Sequence, residues 1–159
     1  MRKIFTLVCL MAVMLTSCSN DDDRVDNDTI GLTFETTVDF TPNNEYGTRF
    51  EFPENIFDSD VVLVYRRENV DNQLEVWEPL PTVTIFLNDN ADTSVQYRFN
   101  YTIGDVDILL ESNNPDLVPA DLTDNQKFRI VVVPANFAKN TKIDLSDFNA
   151  VQKALHLEL

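Results

Sequence analysis

The sequence is poor in the residue types on which most catalytic and cofactor sites depend. It contains three glycines, two cysteines and one histidine among 159 residues. A dinucleotide-binding turn or a P-loop needs several glycines close together, whereas Gly31, Gly47 and Gly104 stand far apart. Because His156 is the single histidine, a multi-histidine metal site is excluded. A Ser-His-Asp triad would have to use this one residue close to the C-terminus. These absences argue against a nucleotide-dependent enzyme.

Basic residues are also scarce in this chain. Twelve Lys and Arg residues stand against 27 Asp and Glu residues, so the formal net charge is −15 at pH 7. A negative charge of this size repels the phosphate backbone of nucleic acids. We therefore expect no nucleic acid among the partners of the protein.

The N-terminal segment is the first positive feature of the sequence. Arg2 and Lys3 precede a largely apolar run over residues 4–15. This run is shorter than the about 20 residues that a membrane-spanning helix needs. A basic start followed by a short apolar run is typical of a secretory signal peptide.

The sequence Leu15-Thr16-Ser17-Cys18 ends this segment. It resembles the lipobox of bacterial lipoproteins, in which the cysteine becomes the acylated N-terminus. The resemblance implies a lipoprotein signal peptide over residues 1–17 and attachment to a membrane through lipid chains on Cys18. Several acyl chains hold a protein on a bilayer durably, because each buried CH₂ contributes about 0.8 kcal/mol. The alternative is a chance cysteine behind an ordinary signal peptide, although the A-x-A-like cleavage pattern is absent.

Three consecutive aspartates, Asp21, Asp22 and Asp23, closely follow Cys18. This run resembles the acidic export signal of surface lipoproteins of Bacteroidota, which implies display on the outer leaflet of the outer membrane. The alternative is a solvated acidic spacer on the periplasmic face of that membrane. Residues 18–30 contain few apolar side chains, so we expect an acidic disordered tether.

Residues 31–159 have the patterns of a single all-β domain. Alternation over residues 32–41 and again over residues 49–52, with a turn-rich stretch between them, predicts a β-hairpin. The near-continuous apolar run over residues 60–67 is typical of a central strand that is covered on both faces. The clearest alternation predicts one buried face of a strand, formed by Val95, Tyr97, Phe99, Tyr101 and Ile103.

About eight short β segments with no helix between them predict the fold class. The expected architecture is an antiparallel β-sandwich of about 7–8 strands, Ig-like in its general form. Ser146 and Asp147 are typical of a helix start, and Phe148, Val151 and Leu155 then fall on one helical face. We expect one short C-terminal helix that packs on the sandwich.

Two pairs of aspartates are candidates for a chemical role. Asp58 and Asp60, and likewise Asp105 and Asp107, are spaced so that an extended chain places both carboxylates on one side. Such pairs bind Ca²⁺ or serve as acid and base in glycoside hydrolysis. Each pair flanks the start of a predicted strand, where Asp is a common turn residue, and this favours a structural role.

A calcium site is the one cofactor alternative that the sequence leaves open. Asn88, Asn90 and Asp92 occupy the first, third and fifth places of an EF-hand-like loop. Thr93 at the sixth place and Phe99 at the twelfth break that motif. We expect no cofactor, with an irregular Ca²⁺ site among loops 88–94 and 112–125 as the alternative.

Aromatic side chains are candidates for contact with a ligand, because aromatic rings stack on sugars. Tyr97 and Tyr101 lie on the apolar face of their strand, so we expect burial instead. Trp77 is the better candidate for a ligand contact, and core packing is its alternative.

The body of the chain also resembles a small group of lipoproteins from Bacteroidota. The resemblance covers residues 32–137, rests on segments such as DSDVVLVYRR and DLTDNQKFRIVVVPA, and implies no activity. Some of these proteins are labelled dihydrolipoamide dehydrogenase. That activity needs a Gly-rich βα turn for the flavin and a cysteine pair for redox chemistry, and this chain has neither.

The expected function is that of a lipoprotein of the outer membrane, exposed at the cell surface. We expect no enzyme, but a binding or interaction module for a protein or glycan partner. The alternative is a glycan-binding accessory subunit of a polysaccharide-uptake system.

Overall fold

A computed structural model of the chain describes residues 31–71, 74–87 and 92–157. Two four-stranded antiparallel sheets pack face to face, which confirms the predicted all-β sandwich. The predicted signal peptide and tether, with Cys18 and Asp21, Asp22 and Asp23, lie outside the described residues. No helix within the described ranges is long and apolar enough to span a membrane.

The described part of the fold contains eight strands, three short α-helices and two 3₁₀ helices, Pro42–Asn44 and Pro115–Leu117. The strands are β1 (Leu32–Val38), β2 (Gly47–Glu51), β3 (Val61–Asp71), β4 (Leu74–Pro79), β5 (Ile85–Phe86), β6 (Ser94–Tyr101), β7 (Asp105–Ser112) and β8 (Gln126–Val133). The helices are α1 (Ala120–Thr123), α2 (Ala135–Asn140) and α3 (Phe148–Leu155). Sheet A has the strand order β1-β8-β3-β4, and sheet B has the order β2-β7-β6-β5.

The main core lies between the two sheets, because each strand turns its apolar alternate residues inward. Val106, Ile108 and Leu110 of β7 are buried, while Asp107 and Leu109 between them lie on the outer face of sheet B. Buried residues of sheet A meet them from the other side, among them Val62, Val64, Phe128, Ile130 and Val132.

A second apolar cluster covers the opposite face of sheet A. Tyr65 of β3 and Val131 of β8 pack there against Phe148 and Val151 of α3. The side chain of Asp147 caps this helix by accepting a hydrogen bond from the Ala150 amide at 3.2 Å. The predicted C-terminal helix and the predicted burial of the 60–67 strand on both faces are therefore confirmed.

The predicted hairpin between the first two strands is wrong. β1 pairs with β8 in sheet A, whereas β2 pairs with β7 in sheet B. Phe34 and Phe50 meet across the core, with ring centroids 5.2 Å apart, instead of lying side by side in one sheet. The connection crosses between the layers because Phe40 is buried in the core and its amide donates to the Thr123 carbonyl at 2.9 Å.

The alternation over residues 95–103 is confirmed only in part. Val95 and Tyr97 are completely buried, and Phe99 is partly buried. Tyr101 and Ile103 are exposed, because they lie where β6 ends and the chain turns toward β7. The apolar pattern thus extends past the region that the opposite sheet covers.

Substitutions in β7 test the register of the sandwich. We expect Ile108→Ala to lower the free energy of unfolding by about 2–5 kcal/mol, because it leaves a cavity between the sheets. The control is Leu109→Ala in the same strand, which truncates a side chain on the outer face and is expected to cost about 1 kcal/mol or less. Denaturant unfolding of both variants measures the difference, and equal losses contradict the register.

Candidate functional site

A cluster of charged side chains surrounds Trp77 on the outer face of sheet A. We call it the Trp77 cluster, and its other members are Glu35, Arg67, Glu75, Lys127 and Arg129. The strand register explains it, since Glu35 lies directly opposite Arg129 and Arg67 lies opposite Trp77. Glu35 is 2.7 Å from Arg129 and 2.8 Å from Lys127.

Trp77 itself is partly buried within this cluster. The guanidinium carbon of Arg129 lies 3.9 Å from the centre of a Trp77 ring, and the Phe148 ring of α3 lies 5.6 Å away. Glu75 holds Arg129 from the other side at 3.3 Å. These contacts of Trp77 are packing contacts, which is the alternative that the sequence left open. A ligand contact of Trp77 stays a prediction.

The charges of the Trp77 cluster shift the pKa of Glu35. Partial burial raises the pKa of this carboxyl, but hydrogen bonds from Lys127 and Arg129 lower it more, so the pKa falls below its ordinary value of 4.5. The folded chain therefore stabilises the ionised form of Glu35 more than the unfolded chain does.

A buried arginine at one end of the main core escaped the sequence analysis. The Arg66 side chain is 5% exposed, its Nε donates to Gln126 Oε1 at 3.0 Å, and its guanidinium lies 4.3 Å from the Tyr97 ring centre. Gln126 in turn donates to the Asp121 and Asp124 carbonyls at 3.0 and 2.8 Å. The group ties the loop before β8 to both sheets. Strand alternation could have revealed it, because Val62, Val64 and Arg66 occupy every second position of β3 and so face the same side of the sheet.

Burial around Arg66 also shifts the pKa of neighbouring groups. It raises the pKa of Tyr97 to about 12, although the Arg66 charge acts in the opposite direction. Burial and repulsion from Glu68 raise the pKa of Glu78, against the attraction of Arg66. Because Arg66 is held by protein groups on several sides, we interpret these contacts as structural.

An open groove of about 530 Å³ lies on sheet B. Side chains with hydroxyl, amide and carboxylate groups line it, among them Tyr46, Thr84, Ser94, Gln96, Glu111 and Asn113. Phe86 of β5 lies directly opposite Ser94 and is 60% exposed. Asn113 shapes the groove by accepting from the Ser94 amide at 2.8 Å and donating to the Asp92 carbonyl at 2.9 Å.

Three of the four paired aspartates have structural contacts. Arg49 binds Asp107 through two hydrogen bonds of 2.7 and 2.9 Å and lies 3.6 Å from Asp105. The hydrogen bond from Arg49 lowers the pKa of Asp107, which suits an ion pair on the outer face of sheet B. Asp60 accepts from the Phe57 amide at 3.3 Å, as expected for an aspartate in a turn.

Within residues 31–71, 74–87 and 92–157, no group of three or more His, Cys, Asp or Glu side chains is placed to hold a metal ion. The calcium alternative also involves residues 88–91, which lie outside those ranges, so it stays a prediction.

The hairpin of β3 and β4 projects from one end of sheet A. Val62 and Leu32 both lie at the level of Val132, so β1 begins at the opposite end of the sheet from the hairpin tip at Asp71. Asp71 is nine residues farther along β3 than Val62, which corresponds to about 30 Å along the strand. We call the two ends the N-terminal end and the hairpin end.

No protein-family model, curated protein or solved structure matches this chain. The function is therefore inferred from the chain's own residues and geometry.

Substitution of Glu35 tests the Trp77 cluster. Because the folded-state pKa of Glu35 is lowered, the stability from its ion pairs is present above its ordinary pKa and is lost as the pH falls through the lowered value. We expect Glu35→Gln to destabilise the protein at neutral pH, with a difference from the original chain that shrinks as the pH falls below the ordinary pKa of 4.5.

Asp116→Asn in the loop after β7 is the matched control for the loss of one negative charge. Urea unfolding at several pH values provides the measurement. A Glu35→Gln difference that stays constant with pH would show that the ion pairs do not stabilise the fold.

Proposed function

We propose that the protein is a lipid-anchored binding module without enzymatic activity, held on the outer membrane through Cys18 and displayed at the cell surface. One observation carries the proposal. The chain enters the sandwich at the N-terminal end, and the projecting hairpin lies about 30 Å away at the other end of sheet A. An anchor at Cys18 is therefore joined to the domain at the end opposite the hairpin.

The length of the proposed tether supports this arrangement. Residues 18–30 precede the domain. A flexible chain of this length spans about 20 Å on average and about 45 Å when fully extended. The domain is thus held within reach of the bilayer, with its projecting end available to a partner.

The anchor and the display are tested by two variants. We expect Cys18→Ala to abolish incorporation of a fatty-acid probe and to remove the protein from the membrane fraction, because the thiol that carries the lipid is lost. We expect replacement of Asp21, Asp22 and Asp23 by Ala to keep the lipid but to move the protein to the periplasmic face. Protease treatment of intact cells, with total lipoprotein measured in parallel, reports the display.

The two results are independent. Undiminished labelling of Cys18→Ala would overturn the anchor. Undiminished surface digestion of the triple variant would overturn the export signal and leave the anchor intact. The three aspartates precede the first residue of the described domain, so neither result depends on its stability.

A second candidate is a glycan-binding accessory subunit of a polysaccharide-uptake system. The groove on sheet B favours it, because hydroxyl, amide and carboxylate groups there lie beside an exposed aromatic ring. Polar groups of this kind bind sugar hydroxyls, and the Phe86 ring offers a surface for the apolar face of a sugar.

Phe86→Ala tests this candidate. We expect the variant to bind soluble neutral oligosaccharides about tenfold more weakly in calorimetric titration, which corresponds to about 1.4 kcal/mol of lost stacking. Ile103→Ala, which removes an exposed apolar side chain at the N-terminal end, is the control and should leave the affinity unchanged. Absence of oligosaccharide binding by the original chain contradicts the candidate.

A further inference from the structure

Exposed apolar side chains are concentrated on one segment of the chain. Nine large apolar side chains are exposed among the described residues, and four of them lie between residues 74 and 86. Three of these four are at least 60% exposed, which is true of only one of the other five. The four are Leu74, Val76, Val83 and Phe86. We call residues 74–86 the edge segment.

The edge segment forms an open side of the sandwich. β4 is the last strand of sheet A and β5 is the last strand of sheet B. The Leu80 amide donates to Val64 of β3, whereas the Thr82 amide donates to Tyr97 of β6, so the chain changes sheets between these residues. Each of the two strands thus pairs along one side only.

Part of this edge has backbone groups that point outward. Because the Leu80 amide points toward β3, alternation along β4 directs the backbone groups of Glu75 and Trp77 away from the sheet. Pro79 also occupies an outward position, but it has no N–H to offer and closes that part of the edge. The open stretch is therefore Leu74–Glu78, at the hairpin end.

An open edge with exposed apolar side chains is a template for an added strand. Leu74 and Val76 are on the same face of β4, where they are 72% and 40% exposed. An extended segment laid along β4 would satisfy the outward backbone groups and cover both side chains. Its own apolar side chains must then recur at every second position.

A second copy of the chain fits this edge poorly. The net charge of −15 opposes close approach of two copies.

Charge indicates the chemistry of the partner. The chain has 27 acidic residues against 12 basic residues, and its net charge is −15. This negative charge favours a basic partner.

We propose that Leu74–Glu78 is the docking edge for an extended basic segment of another protein, which adds to sheet A as a strand and carries apolar residues at alternate positions. Strand addition supplies the backbone hydrogen bonds, Leu74 and Val76 supply the apolar contact, and the negative charge of the chain attracts the basic side chains.

The test uses the full chain in detergent and a synthetic peptide of alternating lysine and valine. We expect saturable binding and slower hydrogen exchange of the amides in residues 74–78. The peptide of alternating glutamate and valine should bind at least tenfold more weakly. So should the lysine-valine peptide with a central proline, because proline removes a donor and breaks the added strand.

A matched pair of variants locates the site. Leu74→Lys combined with Val76→Lys should weaken binding at least tenfold, since lysines on an edge strand oppose strand addition. Leu32→Lys combined with Leu117→Lys makes the same change in charge at exposed apolar residues elsewhere and should weaken it much less. Equal weakening by both variants overturns the proposal, as does equal binding of the proline-containing or glutamate-containing peptide.

Two further readouts on the same preparation separate the proposals. Concentration-dependent self-association that disappears in the Leu74→Lys, Val76→Lys variant identifies a second copy as the occupant and overturns the inference. Fatty-acid labelling of Cys18 reports the anchor independently. An unlabelled chain that still binds the peptide at residues 74–78 overturns the proposed anchor and leaves the docking edge in place.

Discussion

The burial of β3 and β8 on both faces is the constraint on which the rest of the structure depends. Val64 and Ile130 point into the core between the sheets, while Tyr65 and Val131 point into the cluster under α3. Both apolar layers therefore share the same two strands. The C-terminal helix is part of the stabilised fold for this reason, and removal of its Phe148 contact would expose the centre of sheet A.

Because the centre of sheet A is buried, the candidate interaction surfaces lie on its uncovered outer face and along the edges of the sandwich. Beside the apolar contacts of α3, the Trp77 cluster on the outer face of sheet A contains ion pairs around Arg129. Leu74, Val76, Val83 and Phe86 of the edge segment are covered by neither and remain exposed.

Local features of the fold were predictable because they depend on neighbouring residues. The buried residues of β7 and the inward positions of β6 follow from alternation, and the cap at Asp147 follows from side-chain chemistry within one turn. Pairing between distant strands was not predictable in the same way. An alternating strand such as β1 requires an apolar neighbour on one face but does not specify which strand lies beside it.

The sequence by itself determined the strands, the C-terminal helix and the acidic character of the chain, since periodicity, capping and charge are properties of short segments. Only the tertiary structure decided that β1 and β2 belong to different sheets, that Arg66 is buried beside Tyr97, and that residues 74–86 form an open edge. Those properties depend on which distant segments meet, and the burial of a side chain is settled by the layer that packs over it.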